Sequence, residues 1–402
     1  MTTEHEKEII NIIKPAYYDS FTCIAEKCPF TCCQEWKIAV DDATAKKWKS
    51  TTTPKSVQAK QKKLNYFTTW KDDTRVIALN YHHKCPFLNR ESLCELVITY
   101  GDKMLSEACS VFPREIHDYG SRKEYTLMPS CPAVIDLLKE QEAFSLLEIL
   151  SENSTIACEA DVALREGNPW EEEVFFQVRA FFMDVMKRQD ISPETSLLMI
   201  FYLALDLLEK EPLTLKKFAE YKQSNILPEL QKTIQNMEFD SLATFEERNE
   251  LFLDLIENYR KEEMYAAYLN GIADLAEQYL EGYDDKTIEN RLQTFQHEWK
   301  NYESLFRNLL CEELFADLLL PDEGLRHMVV KLQWLAMEYA VIHQCLFLKW
   351  DKTGTLTYED VRDYIVLLFR MTGYEEEDIY EYLENSFASL IWDWGYFALI
   401  AN

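Results

Sequence analysis

Eight of the eleven cysteines in this 402-residue chain fall between positions 23 and 131. They read Cys23-x4-Cys28-x3-Cys32-Cys33, then Cys85-x8-Cys94-x14-Cys109-x21-Cys131. Thiolates are the soft ligands that zinc and iron–sulfur clusters take. Eight buried reduced thiols, packed as small hydrophobes, would be the bland reading of the same residues. Clustering of this density favours metal. Cys23, Cys28, Cys32, Cys33, Cys85, Cys94, Cys109 and Cys131 are therefore the candidate ligands. Cys158, Cys311 and Cys345 sit in helical patterns and read as core residues.

The spacing separates the two metals. Structural zinc sites favour paired C-x2-C knuckles, and this sequence has none. Iron–sulfur clusters accept more widely scattered cysteines, and bacterial ferredoxin runs end in Cys-Pro. Here Cys28, Cys85 and Cys131 each precede proline, which holds its predecessor extended and pre-sets the thiolate direction. An iron–sulfur cluster, of the 4Fe–4S type, is the expectation, with zinc the alternative. Cys32 and Cys33 are adjacent, so in an extended chain they point to opposite faces and need not serve one site. Cys131 falls at an expected helix N-terminus, where the dipole lowers a thiol pKa. His82, His83 and His117 lie nearby and read as polar surface groups.

The elements that must position these residues divide the chain in two. Residues 14–138 carry 18 Lys+Arg against 15 Asp+Glu, whereas residues 139–402 carry 23 against 52. The expected architecture is mainly α: an irregular cysteine-rich metal module over 14–138, then an acidic all-helical domain over 139–402. Residues 4–13 read as a short helix and 95–112 as another. Brief strands are expected at 36–40 and 75–79, and the polar, Lys-rich stretch at 50–63 between them reads as a loop or a surface helix. Beyond Pro132 the 3.6-residue period predicts helices at 133–150, 171–189, 194–210, 213–222, 244–259, 261–281, 285–318, 323–348, 358–371 and 376–392.

Bulk composition excludes several functions. A net charge of −28 repels phosphates, which argues against nucleic acid and anionic membrane as partners. No apolar run reaches membrane-spanning length, and the acidic start lacks a signal-peptide layout, so a cytoplasmic protein is expected. There disulfides are rare. Asp351-Lys-Thr-Gly-Thr-Leu-Thr357 resembles a P-type ATPase phosphorylation sequence, but Val341–Trp350 continues a helix into it. Thr357 with Asp360 reads as the start of the next one. Asp351 is thus expected in a helix–helix turn and not as a phospho-acceptor. Dinucleotide and P-loop glycine patterns are missing, as is the glycine loop of Rossmann-type methyltransferases. The radical-SAM triplet C-x3-C-x2-C nearly occurs at Cys28 and Cys32, but position 35 is Glu35.

Taken in order, Phe21-Thr-Cys23, Cys28-x3-Cys32-Cys33, Trp36-Lys-Ile38, Asp41, Cys85-Pro-Phe-Leu88, Leu93-Cys94, the Gly101–Cys109 segment ending in Phe112-Pro113-Arg114, and Ser130-Cys131-Pro132 resemble the flagellin lysine-N-methylase family. That family carries a cysteine-rich zinc- or iron-chelating domain. The resemblance covers about residues 15–138, and more loosely 295–345. It departs at Glu35, where the family often has glycine. It implies methyl transfer from S-adenosylmethionine to lysine Nε of flagellin. A second reading is a non-catalytic, metal-stabilised module that binds a basic partner through its acidic helices.

Overall fold

The computed structural model describes residues 9–57, 61–71, 73–120, 122–152, 169–320, 324–373 and 376–402. Residues 4–8 of the expected first helix, and Cys158, lie outside them. The chain is mainly α, as expected, but its first third also holds strands. Strand β1 (Ile9–Pro15) stands where a helix was expected, and the correction has a physical cause. Ile9, Ile10, Ile12 and Ile13 are β-branched and favour a strand, and both edges of the segment find partners. β1 pairs in parallel with β5 (Arg122–Leu127) and antiparallel with β6 (Leu146–Glu152). With β4 (Arg114–Asp118) on the far side, the sheet runs β4-β5-β1-β6. β2 (Thr68–Lys71) and β3 (Thr74–Ile77) form a separate hairpin.

Parallel strands need a long crossover. Here the crossover between β1 and β5 contains seven of the eight candidate cysteines, and Cys131 follows β5. Because β1 and β5 point the same way, their C-terminal ends emerge at one sheet edge. That edge brings the Cys23–Cys33 segment beside Cys131. The crossover folds around α1 (Asp42–Ser50), α2 (Glu95–Tyr100) and α3 (Glu107–Val111). Its own core gathers Ile38, Trp48, Leu64, Phe67, Phe87 and Met104. Asp41 fastens two helix starts, accepting from Thr44 N at 2.8 Å and Glu107 N at 3.0 Å. Burial acts to raise its pKa, but these N–H groups win and hold it below the usual carboxylate range. The expected 95–112 helix is broken at Gly101, whose φ of +77° a helix cannot hold.

The expected helix at 133–150 ends early. It becomes α4 (Pro132–Glu140) followed by β6, because β1 offers β6 a full ladder from Ile9↔Glu152 to Pro15↔Leu146. The all-helical expectation for 139–402 is thus corrected by one strand, and position 138 lies inside α4. The rest is helical: α5 (Pro169–Met186), α6 (Pro193–Leu208), α7 (Leu215–Lys222), α8 (Ile226–Gln235), α9 (Ser241–Lys261), α10 (Ala266–Gly282), α11 (Asp285–Trp299), α12 (Glu303–Ala316), α13 (Gly324–Thr353), α14 (Tyr358–Met371), α15 (Glu376–Phe387) and α16 (Trp394–Ala401). The expected 285–318 helix divides into α11 and α12 at a 3-10 turn over Lys300–Tyr302. α13 is buried almost all round and forms the axis of the bundle. Asp351 lies in its last turn, accepting from Tyr279 and Arg291 at 2.8 Å each. Thr357 and Asp360 form the capping box that starts α14.

Two buried acids tie the sheet to the helices. Glu124 on β5 meets Arg179 of α5 at 2.5 Å. Glu312 of α12 accepts from Tyr17 Oη at 2.6 Å and Leu127 N at 3.1 Å. One apolar core therefore runs from Ile13 and Phe30 through Val134 and Leu138 into the helices.

Candidate metal centre and adjoining cavity

The eight thiols come from four stretches of chain. Cys28 opens a turn in which its thiol donates to Phe30 O at 2.9 Å. Cys33 O accepts from Cys85 N at 2.7 Å, which joins the first stretch to the second. Cys94 is the N-cap of α2, Cys109 lies in α3, and Cys131 is the N-cap of α4 with Pro132 in the first turn. Cys33, Cys94 and Cys109 pack against the second core, and Cys85 is part of it. Cys311 and Cys345 are buried in the bundle, as the helical pattern implied.

Cys32 is the hub. Its thiol hydrogen-bonds Cys33, which bonds Cys85, and it acts electrostatically on Cys28, Cys94 and Cys109. Cys28 in turn acts on Cys131. The hydrogen bond to Cys33 and burial push Cys32 far above the ordinary thiol value. For Cys33 the bond from Cys32 acts downward, but its own bond to Cys85 and burial prevail and raise it. Burial raises Cys94 and Cys28, lifts Cys109 to about 11 and lifts Cys131 to about 12. The dipole effect expected at Cys131 is present, since the N–H groups of Ala133 and Val134 act downward, but burial outweighs it.

These thiols would ionise only against a strong positive charge, which a bound metal supplies. In type the donors suit an iron–sulfur cluster or zinc. As the side chains stand, no group of three or more His, Cys, Asp or Glu among the described residues closes around one point.

Sequence reasoning missed the residue that locks this region to the bundle. Arg370, in the last turn of α14, donates to Ser130 O at 3.0 Å, Thr31 O at 2.9 Å and Phe30 O at 2.9 Å. One guanidinium thus holds the Cys28–Cys33 and Cys131 stretches together. A second fastening uses Glu35, at φ +63°. Glycine reaches that conformation without strain, while other residues pay roughly 1 kcal/mol or more. In exchange Glu35 accepts from Tyr265 N at 3.1 Å, and its carbonyl accepts from Tyr265 Oη at 3.1 Å. His83, read from sequence as a surface group, meets Glu262 O at 3.2 Å.

Beside this region lies a cavity of about 510 Å³, and the Met128–Ser130 stretch forming part of its wall runs straight into Cys131. β4 contributes Glu115 and His117; Glu313 comes from α12 and Asp317 from just beyond it. α13 contributes Lys331 and Glu338, and α15 contributes Glu376. Burial lifts Glu115 and Glu338 to about 7 and raises Glu313 well above the carboxylate range. Burial also lowers His117. Desolvation disfavours charge on Lys331, but Asp317 and Glu376 overcome it and hold the ammonium charged.

The family profile of the FliB lysine N-methylase C-terminal domain matches residues 179–400, more than half of the chain. The chain belongs to the FliB lysine N-methylase family. The match covers the helical body, Arg370 and most of the cavity's acids, whereas the cysteine resemblance lies in the other half. The chain is 33% identical over 146 residues to the lysine-N-methylase of Salmonella typhimurium, covering 35% of each. It is 32% identical to that of Salmonella choleraesuis over the same shares. It is 30% identical over 151 residues to the flagellar biosynthetic protein FliU of Salmonella muenchen, covering 35% of this chain and 83% of FliU. The match thus spans about a third of the two lysine-N-methylases. No solved structure matches the chain. No helix among the described residues is long and apolar enough to cross a membrane.

The FliB-family chain should be more stable in mild acid. Glu115, Glu312 and Glu338 have folded pKa values of about 7 against an ordinary 4.5, each raised by burial. Between these values the folded chain holds protons that the unfolded chain releases, so stability falls as pH rises through the window. Each group contributes on the order of 1–3 kcal/mol. Differential scanning fluorimetry should give a higher Tm near pH 6 than near pH 8. A flat or reversed profile would mean that these carboxyls are hydrated in solution.

Proposed function

We propose that this chain is a protein lysine N-methyltransferase of the bacterial cytoplasm. It transfers the methyl group of S-adenosylmethionine to lysine Nε of flagellin, and its cysteine region holds a 4Fe–4S cluster. The single observation that carries the reading is the family match over residues 179–400. Flagellin as the substrate is supported by the cysteine-region resemblance and by the name of the FliU relative.

Methyl transfer to an amine needs a methyl carbon on a good leaving group, and the sulfonium of S-adenosylmethionine supplies it. The protein's tasks are then to orient the amine and to take its proton. Free lysine has a pKa near ~10.4, so at neutral pH the nucleophilic lone pair must be uncovered. A buried carboxylate with a pKa near 7 can accept that proton. The cluster would take four of the thiols at Cys23, Cys28, Cys32, Cys33, Cys85, Cys94, Cys109 and Cys131 as ligands. Arg370 would keep the Cys28–Cys33 and Cys131 stretches in register.

The test is transfer of labelled methyl groups to purified flagellin, followed by peptide mass mapping. Methylated lysines are the expected result. Saturable flagellin binding without transfer, in anaerobically prepared protein, would favour the non-catalytic alternative.

A further inference from the structure

We infer that the cavity between β4, α12, α13 and α15 receives the side chain of the target lysine, with Glu115 as its proton acceptor and Glu313 as a countercharge. This inference rests on the methylase reading and adds the place where the substrate enters.

Five carboxyl groups line the cavity against one lysine, Lys331. Facing the cavity are Glu115 and His117 from β4, Glu313 and Asp317 from α12 and its end, Lys331 and Glu338 from α13, and Glu376 from α15. Lys331 is committed to Glu376 at 3.0 Å and Asp317 at 3.5 Å. Glu338 accepts from Thr372 Oγ1 at 2.6 Å. Glu115 and Glu313 form no ion pair among the described residues, and burial holds both toward the protonated state. An alkylammonium would relieve that penalty, and Lys331 shows that one is accommodated against this wall.

Two further observations point to a ligand. Ser130 is only 6% exposed, its hydroxyl has no hydrogen-bond partner, and it lines the cavity. His117 Nε2, on the β4 side, is likewise buried without a partner. Trp334 and Phe369 give the apolar wall that four methylenes need. The volume suits one extended side chain with its backbone at the mouth.

The chemistry balances within this cavity. The lysine ammonium gives a proton to the Glu115 carboxylate. The freed lone pair forms the N–C bond to the sulfonium methyl as the C–S bond breaks and its electron pair stays on sulfur. The product is a methylammonium and a neutral thioether.

The test uses the full chain and two probes, Nα-acetyl-L-lysine methylamide and its uncharged norleucine counterpart, by calorimetry. The lysine compound should bind at least about tenfold more tightly. Glu313→Gln should remove most of that difference. In the flagellin assay, Glu115→Gln should lower kcat by roughly a hundredfold and abolish the rise of rate with pH up to about 7. Equal binding of the two probes to the wild type would overturn the inference without any variant. So would unchanged kcat and KM in folded Glu115→Gln and Glu313→Gln proteins that still methylate flagellin, and the methylase reading would then survive. Selective binding of the lysine compound without methyl transfer would support the cavity and sink the methylase reading instead.

Discussion

Replacing Cys32 with alanine should strip the proposed cluster from the protein and lower methyl transfer by roughly a hundredfold or more. Loss of an outer-shell partner alone commonly costs ~10–100-fold in metal affinity or activity, and loss of a central ligand exceeds that. Cys32 is singled out because it interacts with Cys28 and Cys33 in its own stretch and with Cys94 and Cys109 in two others. Cys33→Ala should act similarly through Cys85. Cys311→Ala is the control, because that thiol is fully buried in the bundle, where the charged groups acting on it are Lys187, Arg307 and Glu312. It should lose some stability and keep the metal. The crossover has its own core around Trp48 and Phe87, so metal loss should expose the cysteine-bearing loops to protease before residues 38–104 unfold. Metal content by elemental analysis, with limited proteolysis and mass mapping, reads both effects. A Cys32→Ala protein with wild-type metal content would remove this residue from the centre.

Arg370→Ala should undock the cysteine stretches while leaving the bundle folded. Three carbonyls, of Phe30, Thr31 and Ser130, lose a charged donor together. Hydrogen bonds to charged groups are worth about 1.5–3 kcal/mol each and do not add fully, which gives roughly 3–5 kcal/mol for local docking. Hydrogen exchange at residues 28–33 and 128–131 should therefore quicken by at least about a hundredfold, at ~1.4 kcal/mol per tenfold. Amides of α9 and α13 should exchange as before. Arg370→Lys should fall between, since an ammonium cannot span the three acceptors that the planar guanidinium reaches. Unchanged exchange in Arg370→Ala would show that Glu35, Tyr265 and the apolar contacts hold the region without it.

What could be read from the residues was local chemistry. The cysteine spacing, the Cys131-Pro132 helix start and the Thr357–Asp360 capping box each depend on a few neighbouring positions. The turn expected from Asp351 begins later, since Asp351 still lies in the last turn of α13, where it is tied to Arg291 and Tyr279. What could not be read depended on residues far apart in sequence. β1 and β6 form because each offers the other a ladder across more than a hundred residues, and the 3.6-residue reading of 133–150 had no means to see it. α1, α8 and α16 were missed for a related reason, since short helices are fixed by the surfaces they cover.

The cavity was hidden by the acidic composition. With 52 acids in residues 139–402, each looks like part of a solvated face. The available signal was context: Glu312-Glu313 follow the apolar Leu309-Leu310-Cys311 run of α12, and Lys331 and Glu338 sit in a long helix that is buried almost all round. Charged residues at positions with no polar side to occupy are the ones to ask about. Glu35 carries the complementary lesson. A residue standing where the family often has glycine marks a left-handed turn, and here its side chain acquires a contact with Tyr265 that glycine could not make.

The measurement that bears most directly on the metal centre is iron and acid-labile sulfide content in protein purified without oxygen, with flagellin methylation followed as the iron is removed by a chelator. Iron and sulfide in comparable amounts, a visible charge-transfer absorption, and methyl transfer that declines in step with iron are the expected results. Zinc in place of iron, or methyl transfer that persists after all metal is gone, would contradict the proposal.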